Sequence, residues 1–248
     1  MPDPTHPSTS PSPDEDPLAW LELEMQEAGG SRTEFHHQLE ACRVKLVELA
    51  AQVQAHIVPT TEAFLDADVA SASDHQAIAR TISEGCTALE DACFLLLARQ
   101  SPVAGDLRRI VATIRCVTPI ERTAQLIGHI ARSLTWVHPP SMPERLCQTL
   151  RDLAEQSSRV FAGAVAAWEQ LDGLAAVELE RTDDEVDLLH KLLLTDLYTG
   201  AQSTEESVSL ALIARYFERI GDHGVDMARQ VTYAVTGERI VDEDRSSD

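Results

Sequence analysis

The sequence has few of the residues on which β-rich folds depend. Only 11 of its 248 residues are glycine, 4% are aromatic, and six of its 12 prolines lie before residue 18. A β-sandwich needs turn residues at short, regular intervals, and this chain does not supply them. The strong helix formers Ala, Leu, Glu and Arg dominate instead, and 44% of the residues are hydrophobic. The composition therefore predicts a folded, all-α protein.

Basic residues are also scarce. The chain has 20 Lys and Arg against 41 Asp and Glu, a formal net charge of −21. A protein this acidic repels phosphate backbones, so we expect no direct binding to nucleic acid. Residues 1–30 contain no Lys or Arg and are predicted to be a disordered acidic tail with a short helix over 18–27. Residues 238–248 are predicted to form a second acidic tail.

Long apolar runs and paired cysteines are missing too. No apolar stretch approaches the roughly 18 residues that suggest a membrane span, and the N-terminus has neither the basic region nor the apolar core of a signal peptide. We therefore expect a cytoplasmic protein with no membrane span. Its five cysteines include no Cys-x-x-Cys pair, so they are predicted to be small buried side chains.

Helical periodicity predicts two sets of three helices from Ser31 onward. In the first set, one helix is predicted to begin at Ser31 and to be kinked or restarted at Pro59, and two more are predicted near 73–99 and 105–136. Ser101-Pro102 is predicted to cap the third helix and Pro119 to bend it. The second set is predicted near 143–170, 174–198 and 204–236. The apolar seam of the first helix is predicted to be Phe35, Leu39, Cys42, Leu46, Leu49, Val53 and His56. That of the last helix is predicted to be Ile213, Phe217, Ile220, Gly224, Met227, Val231 and Ala234.

The two sets resemble each other in sequence. Residues 120–132 align with 217–229 at an offset of 97, and residues 64–68 align with 168–172 at an offset of 104. A duplicated three-helix unit explains both alignments, while coincidence between amphipathic helices is the alternative. The sequence thus predicts two tandem three-helix bundles, 31–140 and 141–237.

Carboxylates cluster on two helices of the second half. They are Glu218, Asp222 and Asp226 on the last helix, and Asp183, Asp184 and Asp187 on the helix before it. Carboxylates at i, i+4 and i+8 form one stripe and repel one another. Either neighbouring arginines (Arg215, Arg219 and Arg229) or bound cations must offset that repulsion. Facing carboxylates suit hard or borderline metals, whereas solvated, salt-bridged carboxylates are the simpler alternative.

The corresponding positions of the first half are Glu121, Gln125 and His129. One carboxylate has been replaced by an amide and another by an imidazole. Hard cations bind anionic oxygens most strongly, so we expect a metal site in the first half to be weaker or absent.

The sequence offers few candidate catalytic motifs. The chain has no H-E-x-x-H, no G-x-S-x-G and no glycine-rich phosphate loop, so we name no catalytic residue. A di-iron bundle needs carboxylate-x-x-His motifs on two helices. The chain offers Asp187-x-x-His190, and Glu34-x-x-His37 at the very start of a helix. A helical-bundle metalloenzyme or metal store that oxidises iron is therefore the alternative to a non-enzymatic protein, and a metal-free helical scaffold is a third possibility.

Three segments of the chain form recognisable motifs: 96–108 (LLARQSPVAGDLR), 217–226 (FERIGDHGVD) and 183–187 (DDEVD). Together they resemble the PhoU family, the regulators of high-affinity phosphate uptake. The resemblance covers about 31–237. The altered motif in the first half and the Arg-rich, Lys-poor composition resemble the actinobacterial branch of the family.

The resemblance implies two three-helix bundles related by a pseudo-two-fold axis, usually as a homodimer. It implies an adaptor between an ABC phosphate importer, through its nucleotide-binding subunit, and a phosphate-sensing histidine kinase, which damps uptake and the starvation response. The protein would then sit at the inner face of the membrane through its partners. Iron or another divalent metal is implied at Glu218, Asp222, Asp184 and Asp187. Asp226 stands where many relatives have Asn, and Gln125 stands where they have Asp.

Overall fold

The computed structural model describes residues 32–135, 137 and 139–240, which form six α-helices. They are α1 (Arg32–Leu65), α2 (Val69–Gln100), α3 (Ala104–Arg132), α4 (Glu144–Gln170), α5 (Ala175–Thr199) and α6 (Thr204–Thr236). Two 3₁₀ turns, Ser133–Thr135 and Pro139–Ser141, lead from α3 towards α4. The predicted tail 1–30, with its helix over 18–27, and residues 241–248 of the second tail lie outside the described residues.

The helices pack as two sets of three. Helices α1, α2 and α3 all contact one another, and so do α4, α5 and α6. The sets meet where α3 packs on α6 and α1 packs on α4, and one continuous core runs through both. The predicted all-α fold with two three-helix sets is confirmed, while the boundary between the sets near residue 140 stays a prediction.

Helix α1 continues through Pro59 without a restart. Proline lacks the N–H that would bond back to residue 55, but Pro59 faces solvent, where water can satisfy the released carbonyl. The next two residues tighten the same turn, since the Thr60 hydroxyl donates to the His56 carbonyl at 2.6 Å and the Thr61 hydroxyl donates to the Ile57 carbonyl at 3.0 Å.

The predicted apolar seam of α1 is wrong at one position. His56 is only half-buried, and the fully buried Ile57 takes the core position instead. A strict 3,4 spacing drifts relative to the 3.6-residue turn of an α-helix, so after six steps the buried position has moved by one residue. His56 packs against His75 of α2, with 3.0 Å between their Nδ1 atoms.

The ends of α2 and α3 differ from the prediction. Helix α2 begins at Val69 and not at residue 73, because the Asp68 carboxylate caps it by accepting from the backbone N–H groups of Ala70 and Ser71 at 3.1 Å. Ser101 does not cap α3. It closes α2 in the left-handed conformation at φ 45°, and α3 starts after Val103.

Helix α3 stays helical across Pro119 but ends at Arg132, four residues before the predicted end. The Ser133 backbone N–H bonds to the His129 and Ile130 carbonyls, which converts the last turn to a 3₁₀ turn. The other predicted helices agree with α4, α5 and α6 to within a residue at most ends, and the five cysteines are all buried and unpaired as predicted.

Helix α6 crosses α4 at close range. A Cβ at Gly224 would lie 3.1 Å from the Phe161 Cα and 3.2 Å from its backbone nitrogen, so any larger residue would push the two helix backbones slightly apart. Nearby, the Trp168 indole N–H donates to the Met227 carbonyl at 3.2 Å. The Ser157 hydroxyl bonds to the Phe217 carbonyl at 2.9 Å. These contacts fix the rotation of α6 and therefore which of its faces meets α5.

The buried ring of Phe217 provides a test of this orientation. It is 0% exposed, so Phe217→Ala should lower the free energy of unfolding by about 3–5 kcal/mol through lost burial and a new cavity. Chemical denaturation followed by circular dichroism measures the change. Leu212→Ala on the exposed side of the same helix is the control and should cost far less. Equal effects of the two substitutions would contradict the orientation of α6.

Candidate functional site

The structure gathers four of the six predicted carboxylates between α5 and α6. Asp183 and Asp187 come from α5, and Glu218 and Asp222 come from α6. The charges of Asp187, Glu218 and Asp222 all act on Asp183, and those of Asp187 and Asp222 act on Glu218. The one-turn spacing on each helix puts both members of a pair on the same face, and the packing of α5 on α6 turns the two faces towards each other.

Two of these carboxylates are partly buried without full hydrogen bonding. Asp183 Oδ1 and Glu218 Oε2 are buried and accept no hydrogen bond. The Asp183 side chain lies against Gly221, where a β-carbon would collide with it. The other Glu218 oxygen is paired with Arg215. Buried polar atoms normally form a hydrogen bond, so these two oxygens are the atoms of the cluster that a bound group could still contact.

Both groups hold their protons more tightly than ordinary carboxyls. Burial raises the pKa of Asp183 to about 7, and the neighbouring charges of Asp222, Asp187 and Glu218 add to the rise. Burial and the charge of Asp222 raise the pKa of Glu218 to about 7, although Arg215 opposes the change. The cluster therefore carries less than its full negative charge near neutral pH.

The other two predicted residues lie at the margin of the cluster. Asp184 is exposed, although its charge also helps to raise the pKa of Asp183. Asp226 lies one turn farther along α6 and is ion-paired at 3.4 Å with Arg229, whose guanidinium also reaches Glu180 at 2.8 Å. Arg215 and Arg229 thus offset part of the stripe's repulsion, as the salt-bridge alternative predicts, while Asp183 Oδ1 and Glu218 Oε2 stay without a hydrogen-bond partner.

His190 lies beside this cluster. Burial and the charge of Arg215 lower the pKa of its imidazole, and the charge of Asp187 opposes the change. The Asp187-x-x-His190 spacing therefore does place the two side chains on the same side of α5. Its neutral ring is another group with a lone pair close to the carboxylates.

The carboxylates between α5 and α6 are the right chemical type to bind a cation, but they are not arranged as a complete metal site. Carboxylate oxygens are the ligands that hard and borderline metals prefer, and a cation would satisfy the two unpartnered oxygens. Within residues 32–135, 137 and 139–240, however, no three His, Cys, Asp or Glu side chains are arranged to hold a metal ion. The metal ligands stay a prediction.

The equivalent place in the first half has lost its carboxylates. At the offsets of 97 and 104, Gln125 and His129 replace Asp222 and Asp226, and Ala79, Arg80 and Ser83 replace Asp183, Asp184 and Asp187. Glu121 remains, but it accepts a hydrogen bond from the Ser83 hydroxyl and lies 3.4 Å from Gln125 Nε2. The register is the same in both halves, since Glu121 meets Ser83 where Glu218 meets Asp187.

The raised pKa of Asp183 makes stability depend on pH. Between about pH 4 and 7 the folded protein keeps a proton that the unfolded chain has lost, so the free energy of unfolding falls as pH rises. Asp183→Asn removes this penalty and should stabilise the protein by about 1–2 kcal/mol above pH 7. The gain should shrink as the pH falls towards 4, because the unfolded side chain then approaches its own pKa and the two states differ less in protonation.

Denaturation of chelator-treated protein between pH 4 and 8 measures this effect. Asp184→Asn is the matched control, because it removes an exposed carboxylate from the neighbouring position. Identical pH profiles for wild type and Asp183→Asn would show that Asp183 titrates normally.

Three comparisons relate the chain to known proteins. The family model described as the PhoU domain matches it twice, over residues 46–134 and 150–231. The phosphate-specific transport system accessory protein PhoU homolog 2 of Mycobacterium tuberculosis is 33% identical over 83% of this chain and 98% of its own length. Homolog 1 of Mycobacterium leprae is 32% identical over 83% of this chain and 94% of its own length.

A solved structure agrees with these sequence matches. The crystal structure of PhoU from Pseudomonas aeruginosa superposes with a TM-score of 0.77 at 26% identity and covers 82% of this chain and 100% of its own. The double match of the family model follows the two sets of helices, and the mycobacterial relatives are covered almost completely. The chain therefore belongs to the PhoU family.

Proposed function

We propose that this protein is a negative regulator of phosphate uptake and of the phosphate-starvation response, which acts by contact and without turnover. The observation that carries the proposal is family membership, because the mycobacterial relatives are named as accessory proteins of the phosphate-specific transport system. Its partners are the nucleotide-binding subunit of an ABC phosphate importer and a phosphate-sensing histidine kinase. These partners hold it, as a homodimer, at the cytoplasmic face of the membrane.

Exposed apolar side chains near the connection between α5 and α6 support a contact role. Leu188 and Leu192 lie one turn apart on α5 and are 58% and 45% exposed, and Tyr198 is 91% exposed. Val208 and Leu212 lie one turn apart on α6 and are similarly exposed. Clustered exposed apolar residues mark interaction surfaces in folded proteins. None of the described helices is both long and apolar enough to span a membrane.

Co-purification from phosphate-replete cells tests the proposal. The tagged full chain should retain the importer's nucleotide-binding subunit and a histidine kinase, and a Leu188→Asp/Leu192→Asp variant should lose at least one of them. Leu174→Asp is the control, because Leu174 is 82% exposed but lies at the other end of α5. All three proteins should melt alike, since none of the substitutions touches the core.

Uptake measurements complete this test. Deleting every copy of the gene should derepress phosphate uptake and the starvation genes in rich phosphate. Unchanged uptake and expression, together with the absence of both partners from the purified complex, would overturn the proposed function.

We further propose that Asp183, Asp187, Glu218 and Asp222 hold iron or another divalent cation, with Asp184 and Asp226 at the margin. The supporting observation is the pair of buried, unpartnered oxygens on Asp183 and Glu218. A bound cation would offset the repulsion that raises their pKa. The alternative of an iron-oxidising metalloenzyme gains no support from the relatives, which are named as accessory proteins of phosphate transport.

Elemental analysis of protein purified without chelator tests the cation site. Asp222→Asn should lose most of the bound metal, because an amide supplies a dipole where a charge is needed. Gln125→Ala in the first half is the matched control and should change the metal content little. Equal metal in wild type and Asp222→Asn would show that these carboxylates form only a solvated face.

A further inference from the structure

A second site lies where the first half has lost its carboxylates. A groove of about 460 Å³ runs between α3 and α6, and a second of about 290 Å³ runs between α2 and α3. The two grooves share Gln125 and His129. They are therefore adjacent, with Gln125 and His129 of α3 between them, and we call the two together the arginine groove.

Five arginines line the arginine groove, and no carboxylate lines it among the described residues. Arg122, Arg215 and Arg219 line the larger part, and Arg80 and Arg132 line the smaller part. This is a quarter of the 20 basic residues in a chain whose net charge is −21. Such a concentration of one sign, against the sign of the whole protein, attracts an anion locally.

Most of this positive charge is not neutralised by the protein itself. Within the described part of the chain, only Arg215 of the five forms an ion pair, with Glu218. Arg122 donates to Gln125 Oε1 at 3.3 Å. Glu121 accepts a hydrogen bond from the Ser83 hydroxyl and keeps its charge, and the charge of Arg219 acts on Glu218. Like charges gathered in one groove repel one another, and a bound anion would remove that repulsion.

Comparison between the halves shows how the groove became basic. In the second half Arg229 is paired with Glu180. At the same offsets Arg132 keeps the arginine, but Gln76 replaces the glutamate. Arg80 replaces Asp184 and His129 replaces Asp226. The replacements at these positions remove negative charge or add positive charge, so the duplicated position has changed from cation-binding chemistry to anion-binding chemistry.

The size of the arginine groove and the aromatic side chains that line it indicate which class of anion it can bind. Arginine guanidinium groups bind phosphoryl oxygens through paired hydrogen bonds. The larger part of the groove exceeds the size of a single phosphate ion, and the rings of His129 and Tyr216 pack 5.6 Å apart along it. With Leu126, these rings offer an apolar surface beside the arginines. Phosphoryl groups and an organic body can thus be held together.

We propose that the arginine groove binds a small phosphorylated molecule through its phosphoryl groups. Arg122 and Arg219, which lie at equivalent positions of the two halves, hold the phosphoryl oxygens from opposite walls. Arg80 and Arg132 extend the site towards α2. This site is separate from the adaptor role, so the loss of either proposal leaves the other standing.

Calorimetric titration of the full chain tests the proposal with three probes: inorganic phosphate, pyrophosphate and ATP. The titrations are run with EDTA, so that no divalent cation bridges the ligand to the carboxylates. At least one probe should bind with a Kd below about 1 mM at low ionic strength, and its affinity should fall as salt is raised. Binding of pyrophosphate and ATP alike assigns the affinity to the phosphates, and preference for ATP assigns part of it to the aromatic wall.

Two variants and a control localise the binding. Arg122→Gln and Arg219→Gln should each weaken binding by about tenfold or more, in line with the loss of a charge-assisted hydrogen bond. Arg181→Gln is the control, because Arg181 is exposed on α5 outside the groove. Gln125→Asp/His129→Asp, which restores the carboxylates of the second half, should abolish binding while the melting temperature stays close to that of wild type.

Three results would overturn the proposal. The first is the absence of binding by all three probes at low ionic strength. The second is an equal loss of affinity in Arg181→Gln, which would make the attraction a property of the whole surface. The third is equally strong binding of a polyglutamate peptide, which would show that the groove recognises acidic polypeptides and not phosphoryl groups.

Discussion

The close crossing of α4 and α6 at Gly224 is the contact on which both candidate sites depend. With no side chain at that position, the α6 backbone lies almost against Phe161, and the indole of Trp168 bonds to its carbonyl at Met227. These contacts fix the rotational orientation of α6 about its own axis. In that orientation one flank of the helix turns Glu218 and Asp222 towards α5, and another turns Arg219 towards α3. Arg215 lies between them, since it pairs with Glu218 and also lines the arginine groove.

Duplication explains why two opposite chemistries occur on one scaffold. Helix packing requires the apolar seam to be kept in both halves, since the core runs through both of them. The polar flank beside the seam is under no such requirement. In the second half it is a carboxylate cluster with raised pKa values, and in the first half it is a groove lined by arginines. The backbone arrangement is the same, and the side chains have diverged.

Much of the fold could be predicted from the sequence because it follows from periodicity. The six helices, the two sets and the buried position of Phe217 all follow from apolar spacing, and so does the pairing of carboxylates one turn apart. The errors occur where tertiary contacts or local geometry decide. Ser101 ends α2 in a left-handed conformation, and Ile57 occupies the core position that was predicted for His56. Neither result is visible in hydrophobic spacing alone.

In the candidate sites, too, spacing along the helices could be predicted from the sequence, and contacts between helices could not. Spacing identified the four gathered carboxylates and also Arg229, which pairs with Asp226 on the same helix. It did not show that Arg229 also reaches Glu180, because that contact depends on the exact approach of α5 to α6. The arginine groove was missed because its residues come from three helices and form no local motif. The signal was present in the comparison of the halves, where Ala79, Arg80 and Ser83 stand at the positions of three aspartates.

The nearness of the two sites gives them an electrostatic connection. They lie on different flanks of α6, so their centres are separated by roughly the width of a helix, about 10 Å. Two opposite unit charges at that distance attract by about 0.4 kcal/mol in water and by about 2 kcal/mol at the effective dielectric constant of a protein surface. If the two proposed sites are both occupied, a cation among the carboxylates and an anion in the arginine groove would therefore favour each other's binding. This coupling is reciprocal by thermodynamic necessity, and it needs no movement of the backbone, only two charged flanks of one firmly packed helix.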